Sequence, residues 1–300
     1  MHRPFRFALG LAVSFTAAAL ALACGSSSDD AAGSPDGSID EGVDGGLDVF
    51  RRDVESVDAT RDATRDATSD AFVFFGDAGP GHQLGTGGAH SCFIRPGGTV
   101  RCWGSNSNGQ LGNGVNDGGN SAIPVDVIGI TDAVELAGGS DFTCARLATG
   151  AVKCWGDGEF LGNDYDSGAM SSVPVDVVGL DDAVQIAAGS YHACALRVNH
   201  HVVCWGANSG RIGDGTTGDR LLPTEQIQPS GVGNIDDAVS VACGWGHTCV
   251  AHIDGSVTCS GEYQPWGQLG DGTVADQYTP VEVQNMSGAV SVGAGLYTSY

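Results

Sequence analysis

The stretch His90-Ser91-Cys92-Phe93-Ile94-Arg95-Pro96-Gly97-Gly98-Thr99-Val100-Arg101-Cys102-Trp103-Gly104 places its second cysteine ten positions after the first. A turn centred on Gly97 sets Arg95 opposite Thr99 and Cys92 opposite Cys102. Directly opposed residues of an antiparallel pair lie roughly 4.5–5.5 Å apart at Cα, inside the reach of a disulfide. The same spacing returns at Cys144 and Cys154, Cys194 and Cys204, and Cys249 and Cys259. Each pair is expected to staple two neighbouring strands. Zinc is the competing use of such cysteines, but its ligands usually come as closely spaced Cys-x-x-Cys pairs, which this chain lacks. No metal site and no cofactor are assigned.

Outward from the hairpins, the chain is periodic. The pairs begin at Cys92, Cys144, Cys194 and Cys249, in steps of 52, 50 and 55 residues. An alternating segment precedes each later hairpin: Ala133-Val134-Glu135-Leu136, Ala183-Val184-Gln185-Ile186 and Ala238-Val239-Ser240-Val241. A glycine loop follows each hairpin: Gly109-Gln110-Leu111-Gly112, Phe160-Leu161-Gly162, Arg211-Ile212-Gly213 and Gly267-Gln268-Leu269-Gly270. Each unit closes with a proline-led strand: Pro124-Val125-Asp126-Val127, Pro174-Val175-Asp176-Val177, the weaker Pro223-Thr224-Glu225-Gln226, and Pro280-Val281-Glu282-Val283.

Four short strands in a repeat of about fifty residues predict an all-β chain of β-propeller blades. The units span about 81–130, 131–180, 181–235 and 236–286, with a partial unit over 287–300. Trp103, Trp155 and Trp205, each following a second cysteine, are expected to pack between blades; the fourth unit has Ser260 there, with Trp266 nearby. The recurring Ala-Val-x-Val-Ala-x-Gly, His-Thr-Cys, Gly-x-Val-x-Cys-Trp-Gly and Gly-Gln-Leu-Gly-x-Gly motifs resemble the regulator of chromosome condensation repeat family. The resemblance covers residues 81–300 and implies the propeller fold, with activity left open. Its members include an exchange factor for a small GTPase, a secreted β-lactamase inhibitor and bacterial surface proteins. Ring-closing members commonly use seven blades, whereas this chain offers four units and Ala289-Val290-Ser291-Val292-Gly293-Ala294-Gly295 as the start of a fifth. Three accounts fit that count: a truncated frame, an open array completed by self-association, or a terminal strand that completes the first blade, whose leading His82-Gln83-Leu84-Gly85 is poor.

The N-terminus bears on the compartment. Arg3 and Arg6 precede an apolar run from Phe7 to Ala23, the pattern of a signal peptide over 1–23. Leu20-Ala21-Leu22-Ala23-Cys24 resembles a bacterial lipobox, which implies lipidation of Cys24; the residue three before the cysteine, usually leucine, is Ala21. Gly25 after the cysteine implies the outer rather than the inner membrane. Residues 24–80 read as a disordered acidic tether with the repeat Asp58-Ala59-Thr60-Arg61, Asp62-Ala63-Thr64-Arg65. Such sequence buries too little apolar surface to offset its ordering entropy. Ala71-Phe72-Val73-Phe74-Phe75 is an apolar island that could dock as an edge strand.

Charge narrows the partners. With 13 Lys and Arg against 36 Asp and Glu, the formal net charge is −23. That excludes phosphate-neutralising nucleic-acid binding and adsorption to anionic lipid, leaving the lipid anchor as the membrane contact. Ten cysteines, eight in regular pairs, point to an oxidising compartment. His90, His192 and His247 stand two before a cysteine, while Phe142 holds that place in the second unit, so they read as structural histidines bonded to backbone. His200 and His201 could pair on a metal, and Asp214-Gly215-Thr216 and Asp271-Gly272-Thr273 could hold calcium, but each has a plainer reading as turn chemistry. Cys243 is the free cysteine, standing where other units have Gly138 and Ala188: a small buried side chain, with a reactive thiol or cross-link as its alternative. No catalytic residue is assigned. The expectation is an exported, non-enzymatic envelope lipoprotein whose variable loops, Asn113–Ser121, Asp164–Ser172 and Gly215–Pro223, bind an extracellular or envelope protein or a glycan. The alternatives are an envelope hydrolase with a site at the propeller mouth and, by resemblance alone, a small-GTPase exchange factor.

Overall fold

A computed structural model describes residues 84–164, 169–262 and 265–300. The signal peptide, Cys24, the tether and the 71–75 island lie outside the described residues.

Among the described residues, sixteen strands form four antiparallel four-stranded sheets, each a simple meander in chain order. Blade 1 holds β1 (Leu84–Thr86), β2 (His90–Ile94), β3 (Val100–Gly104) and β4 (Ser121–Asp126). Blade 2 holds β5 (Ala133–Gly138), β6 (Phe142–Leu147), β7 (Val152–Gly156) and β8 (Ser171–Asp176). Blade 3 holds β9 (Ala183–Ala188), β10 (His192–Arg197), β11 (Val202–Gly206) and β12 (Arg220–Glu225). Blade 4 holds β13 (Ala238–Cys243), β14 (His247–His252), β15 (Val257–Gly261) and β16 (Gln277–Glu282). This is the predicted propeller architecture. The first strands line an axial cavity of about 630 Å³ together with Ser291–Ala294 and Tyr300.

Each second and third strand pair puts its cysteines directly opposite: Cys92 with Cys102, Cys144 with Cys154, Cys194 with Cys204 and Cys249 with Cys259. All four pairs are disulfides at Cα separations of 4.0–4.1 Å. The turn between them is built on left-handed backbone, with Gly97 at φ 92° and Gly98 at φ 82°. A side chain on Gly98 would meet the backbone of Asp132 at 2.7 Å, so this glycine also lets the connection to blade 2 pass close by.

The closing strands are not led by their prolines. Each begins three residues earlier, at Ser121, Ser171, Arg220 and Gln277, and its proline stands fourth. These are the outermost strands, where a missing amide donor leaves no ladder bond unmade. The weak third copy forms its strand as the others do.

Every seam between blades has its own core. The disulfide face of one blade packs on the alternating apolar face of the next. At the first seam, Cys92, Cys102, Leu111 and Val127 meet Leu136, Ala145 and Trp155. At the second, Cys144, Cys154, Leu161 and Val177 meet Ile186, Ala195 and Trp205. The third joins Cys194, Cys204 and Ile212 to Val241, Cys243 and Val250. The fourth joins Cys249, Cys259 and Leu269 to Ala289 and Val292 of the C-terminal segment.

Trp155 and Trp205 are fully buried and donate Nε1–H across their seams to the carbonyls of Gln110 (2.9 Å) and Phe160 (3.0 Å). Trp103 instead lies against Phe93 of its own blade, ring centroids 6.0 Å apart. The C-terminal segment turns back on itself, with Gly293 and Tyr300 exchanging backbone bonds, and docks on blade 4. Blade 1 has its own first strand, β1, paired with β2 from Leu84 opposite Phe93 to Thr86 opposite Ser91. Of the three accounts of the blade count, the terminal strand that completes blade 1 is therefore corrected: the segment continues the array past blade 4.

Candidate functional site

The meander sends the turn after each first strand and the long loop after each third strand to the same end of the blade. Backbone bonds tie them: Ser105 N–H donates to Ala89, Asp157 to Asp141, Ala207 to Tyr191 and Glu262 to Gly246. The described loop residues 113–120, 164, 169–170 and 215–219 therefore share one face with the turns at 139–141, 189–191 and 244–246, while the last residues assigned to the variable loops, 121, 171–172 and 220–223, open β4, β8 and β12. The hairpin tips lie at the opposite end, bonded to the connections between blades through Ala133 N–H to Gly98 and Ala183 N–H to Gly150.

The loop face carries a row of rings absent from the sequence-based expectations. Phe142 and Phe160 have centroids 5.5 Å apart, Phe160 and Tyr191 5.9 Å, and Tyr191 and Trp245 6.4 Å. The row continues from Trp245 to Tyr297 at 5.9 Å and from Tyr297 to Trp266 at 4.9 Å. Its buried end anchors in the second seam, and its other end is open, with Trp266 62% exposed. Arg211 lies 5.8 Å from both the Tyr191 and Trp245 ring centroids and ion-pairs with Glu262. A guanidinium between two π faces is held by the ring quadrupoles as well as by the carboxylate. A row of this kind offers stacking surface and a fixed charge pair. The sequence signal is weak because Tyr191 stands three residues before its cysteine and Trp245 four.

The histidines are structural, and each meets a side-chain hydroxyl; His247 also makes the expected backbone hydrogen bond, to Thr298. His90 Nε2 lies 2.8 Å from Thr143 Oγ1, His192 Nε2 2.8 Å from Thr248 Oγ1, and His247 Nε2 3.1 Å from Ser299 Oγ. Each bond crosses a seam. Where Phe142 replaces the histidine, the opposing position is Ala193, in the same apolar core. Burial pushes the pKa of His90 down to about 4 and that of His192 down to about 3, and also lowers that of His247. Neutral imidazoles capped by hydroxyls are poor proton-transfer groups at neutral pH.

The remaining candidates separate. His200 Nδ1 faces the Ala238 carbonyl at 2.9 Å, while His201 Nδ1 faces Glu225 at 3.1 Å, so the two rings are engaged apart. Burial raises the carboxyl pKa of Asp214, but hydrogen bonds from Thr216, Asn208 and Arg220 outweigh it and hold the group below its ordinary range. Its oxygens are thus committed to protein donors. Asp271 likewise accepts from Thr273 and Gln277. Cys243 is a buried free thiol whose pKa burial pushes up to about 12.

Models of the regulator of chromosome condensation (RCC1) repeat match residues 82–110, 133–160 and 183–210, and in a second form 97–146 and 199–251. Residues 82–160 and 183–251 carry the RCC1 repeat. The Ultraviolet-B receptor UVR8 of Arabidopsis thaliana is 28% identical over 208 residues, covering 68% of this chain and 34% of the receptor. Human WBSCR16 is 27% identical with a TM-score of 0.62, over 71% of this chain and 55% of the human one. Prp20p of Saccharomyces cerevisiae, whose structure was described with its binding to Gsp1p and histones, is 23% identical with a TM-score of 0.58, over 72% of this chain and 54% of its own. The chain thus spans about a third of the plant receptor and about half of the two solved propellers.

Proposed function

We propose that this chain is an exported envelope lipoprotein, anchored through Cys24 in the outer membrane, whose propeller binds an extracellular or envelope protein, or a glycan, without catalysing a reaction. The observation that carries the binding reading is the loop-face row Tyr191, Trp245, Tyr297 and Trp266 with the Arg211–Glu262 pair set into it. Aromatic rings and arginine are the residue types that anchor interfaces, and here they lie on the face where the loops differ between blades. The chain's net charge of −23 selects against a nucleic-acid partner. Family likeness supports a protein partner in general terms; the envelope setting rests on residues 1–24 and the cysteine bridges.

The test uses residues 81–300, oxidised and immobilised, against envelope and secreted fractions, with captured material identified by mass spectrometry. The comparison variant carries Trp266→Ala and Tyr297→Ala. A partner retained by the parent and lost by the variant is the expected outcome; equal capture by both overturns the loop-face reading. Lipidation is checked separately by fatty-acid labelling of the full chain, which Cys24→Ser should abolish.

A further inference from the structure

Cys243 ends β13 at the seam between blades 3 and 4, where blades 2 and 3 carry Gly138 and Ala188. It stands directly across the strand pair from Thr248. Thr248 Oγ1 is 3.9 Å from Cys243 Sγ, 3.8 Å from Cys194 Sγ and 2.8 Å from His192 Nε2. The two sulfurs and a ring nitrogen of His192 all lie within 4.8 Å of one another. A free thiol is thus set beside an existing disulfide, across a blade boundary. His192 is fully buried, and its Nδ1 has no hydrogen-bond partner among the described residues. The Cys194–Cys204 bridge closes the hairpin of blade 3, while Cys243 belongs to blade 4.

We propose that Cys243 is a disulfide-exchange site: its sulfur takes Cys194 from Cys204 and moves the third bridge from within blade 3 to between blades 3 and 4. The step balances without an outside oxidant. The Cys243 thiolate attacks Cys194 Sγ, the Cys194–Cys204 bond breaks, and the Cys194–Cys243 bond forms. Cys204 leaves as thiolate and takes up the proton that Cys243 lost, so one thiol and one disulfide stand on each side. Gly138 and Ala188 offer no thiol to the first and second seams, so exchange is confined to the third. Its product is a second covalent link between two blades otherwise held by the connecting chain, packing, hydrogen bonds and the Arg211–Glu262 ion pair.

Burial keeps the thiolate scarce, so exchange in the closed seam is slow, and a trace of small thiol at mildly alkaline pH speeds the approach to equilibrium. The test uses the oxidised full chain with Cys24→Ser, which removes the other cysteine outside the four pairs. After incubation under those conditions the sample is quenched in acid, denatured, alkylated, digested and read by mass spectrometry. The expected result is a shift of the alkyl label from Cys243 to Cys204, with a Cys194–Cys243 linked peptide growing in parallel. Label remaining on Cys243 alone, or spread evenly over the other bridges, overturns the proposal. In a Cys204→Ser chain, oxidative refolding is expected to leave neither Cys194 nor Cys243 open to alkylation; both open in the folded variant overturns it equally. The labelling of the parent decides the matter even if that variant does not fold.

Discussion

The second and third seams are built to one plan and filled in opposite ways. At the second, Leu161, Val177 and the fully buried Trp205 close on one another, with Phe142 and Phe160 beside them. At the third, Ile212 keeps the leucine's place, but Gln226 stands for Val177 and Ser260 for Trp205. Both substitutes are at most 1% exposed, and neither Ser260 Oγ nor Gln226 Oε1 finds a hydrogen-bond partner among the described residues. A side chain on Gly162 would meet Trp205 at 3.0 Å, whereas one on Gly213 would meet Ser260 at 2.7 Å and Gln226 at 2.9 Å. The backbone leaves the same niche; the side chains change it from an aromatic plug to a small polar one. Repeat proteins draw stability from each unit and from its nearest-neighbour interfaces. The third seam should therefore be the first to open, and it is the one that holds Cys243.

The largest test of that difference is reduction. Each bridge closes a loop of about eleven residues, worth about 2.5–3 kcal/mol in the chain-entropy model. Loss of all four should lower stability on the order of 10 kcal/mol in that model. Hydrogen exchange during reduction should show β13 and β14 losing protection before β9 and β10. A uniform loss would erase the distinction between seams, and an unchanged melting temperature would remove the stapling argument itself.

Truncating the plug comes next. Trp205→Ala should cost about 3–5 kcal/mol in urea unfolding. The same change at Trp103, which lies on its own blade, should cost clearly less; equal losses would mean that the plug is not what distinguishes the seams.

Acid separates the seams by a different property. His90 and His192 are held neutral in the fold, with pKa values lowered to about 4 and about 3, and both regain an ordinary value near 6.5 on unfolding. Below pH 6.5 the unfolded chain therefore binds more protons, and stability falls by at most about 1.4 kcal/mol per pH unit for each histidine. The loss continues until pH reaches the folded-state value. The second seam, with Phe142 and Ala193, has no such group. Importing that pair as His192→Phe with Thr248→Ala should flatten the acid slope measured by thermal unfolding between pH 6.5 and 4.5; an unchanged slope would assign acid sensitivity elsewhere.

The smallest effect is expected at Ser260. Replacing an unpartnered buried hydroxyl by a methyl leaves no donor or acceptor stranded, so Ser260→Ala should be neutral or stabilising by up to about 1 kcal/mol. A clear destabilisation would reveal a bond to that hydroxyl.

Much of this was readable before any coordinates. Ten-residue cysteine spacing set the hairpins, the fifty-residue period set the blades, and Trp155 and Trp205 lie where the repeat placed them. The histidine partners were not readable, because Thr143 and Thr248 lie 53 and 56 residues from His90 and His192 and meet them only when blades stack. The signal exists in hindsight: the residue before each cysteine is hydroxylic where the preceding unit has histidine, and alanine where it has Phe142. The proline-led strands were misplaced because an edge strand tolerates proline inside it. The aromatic row escaped notice because its members sit at unequal offsets from their cysteines and form a line only across blades.

The histidine–hydroxyl contacts also make the order of the blades non-arbitrary. Excising the second unit would turn the imidazole of His90 toward the methyl of Ala193. Excising the third would press the ring of Phe142 against the hydroxyl of Thr248. Removing the fourth, by contrast, would bring His192 to Ser299, a pairing of the kind already present. The repeated units are thus keyed to their neighbours, so that shuffling them carries a penalty at two junctions and none at the third.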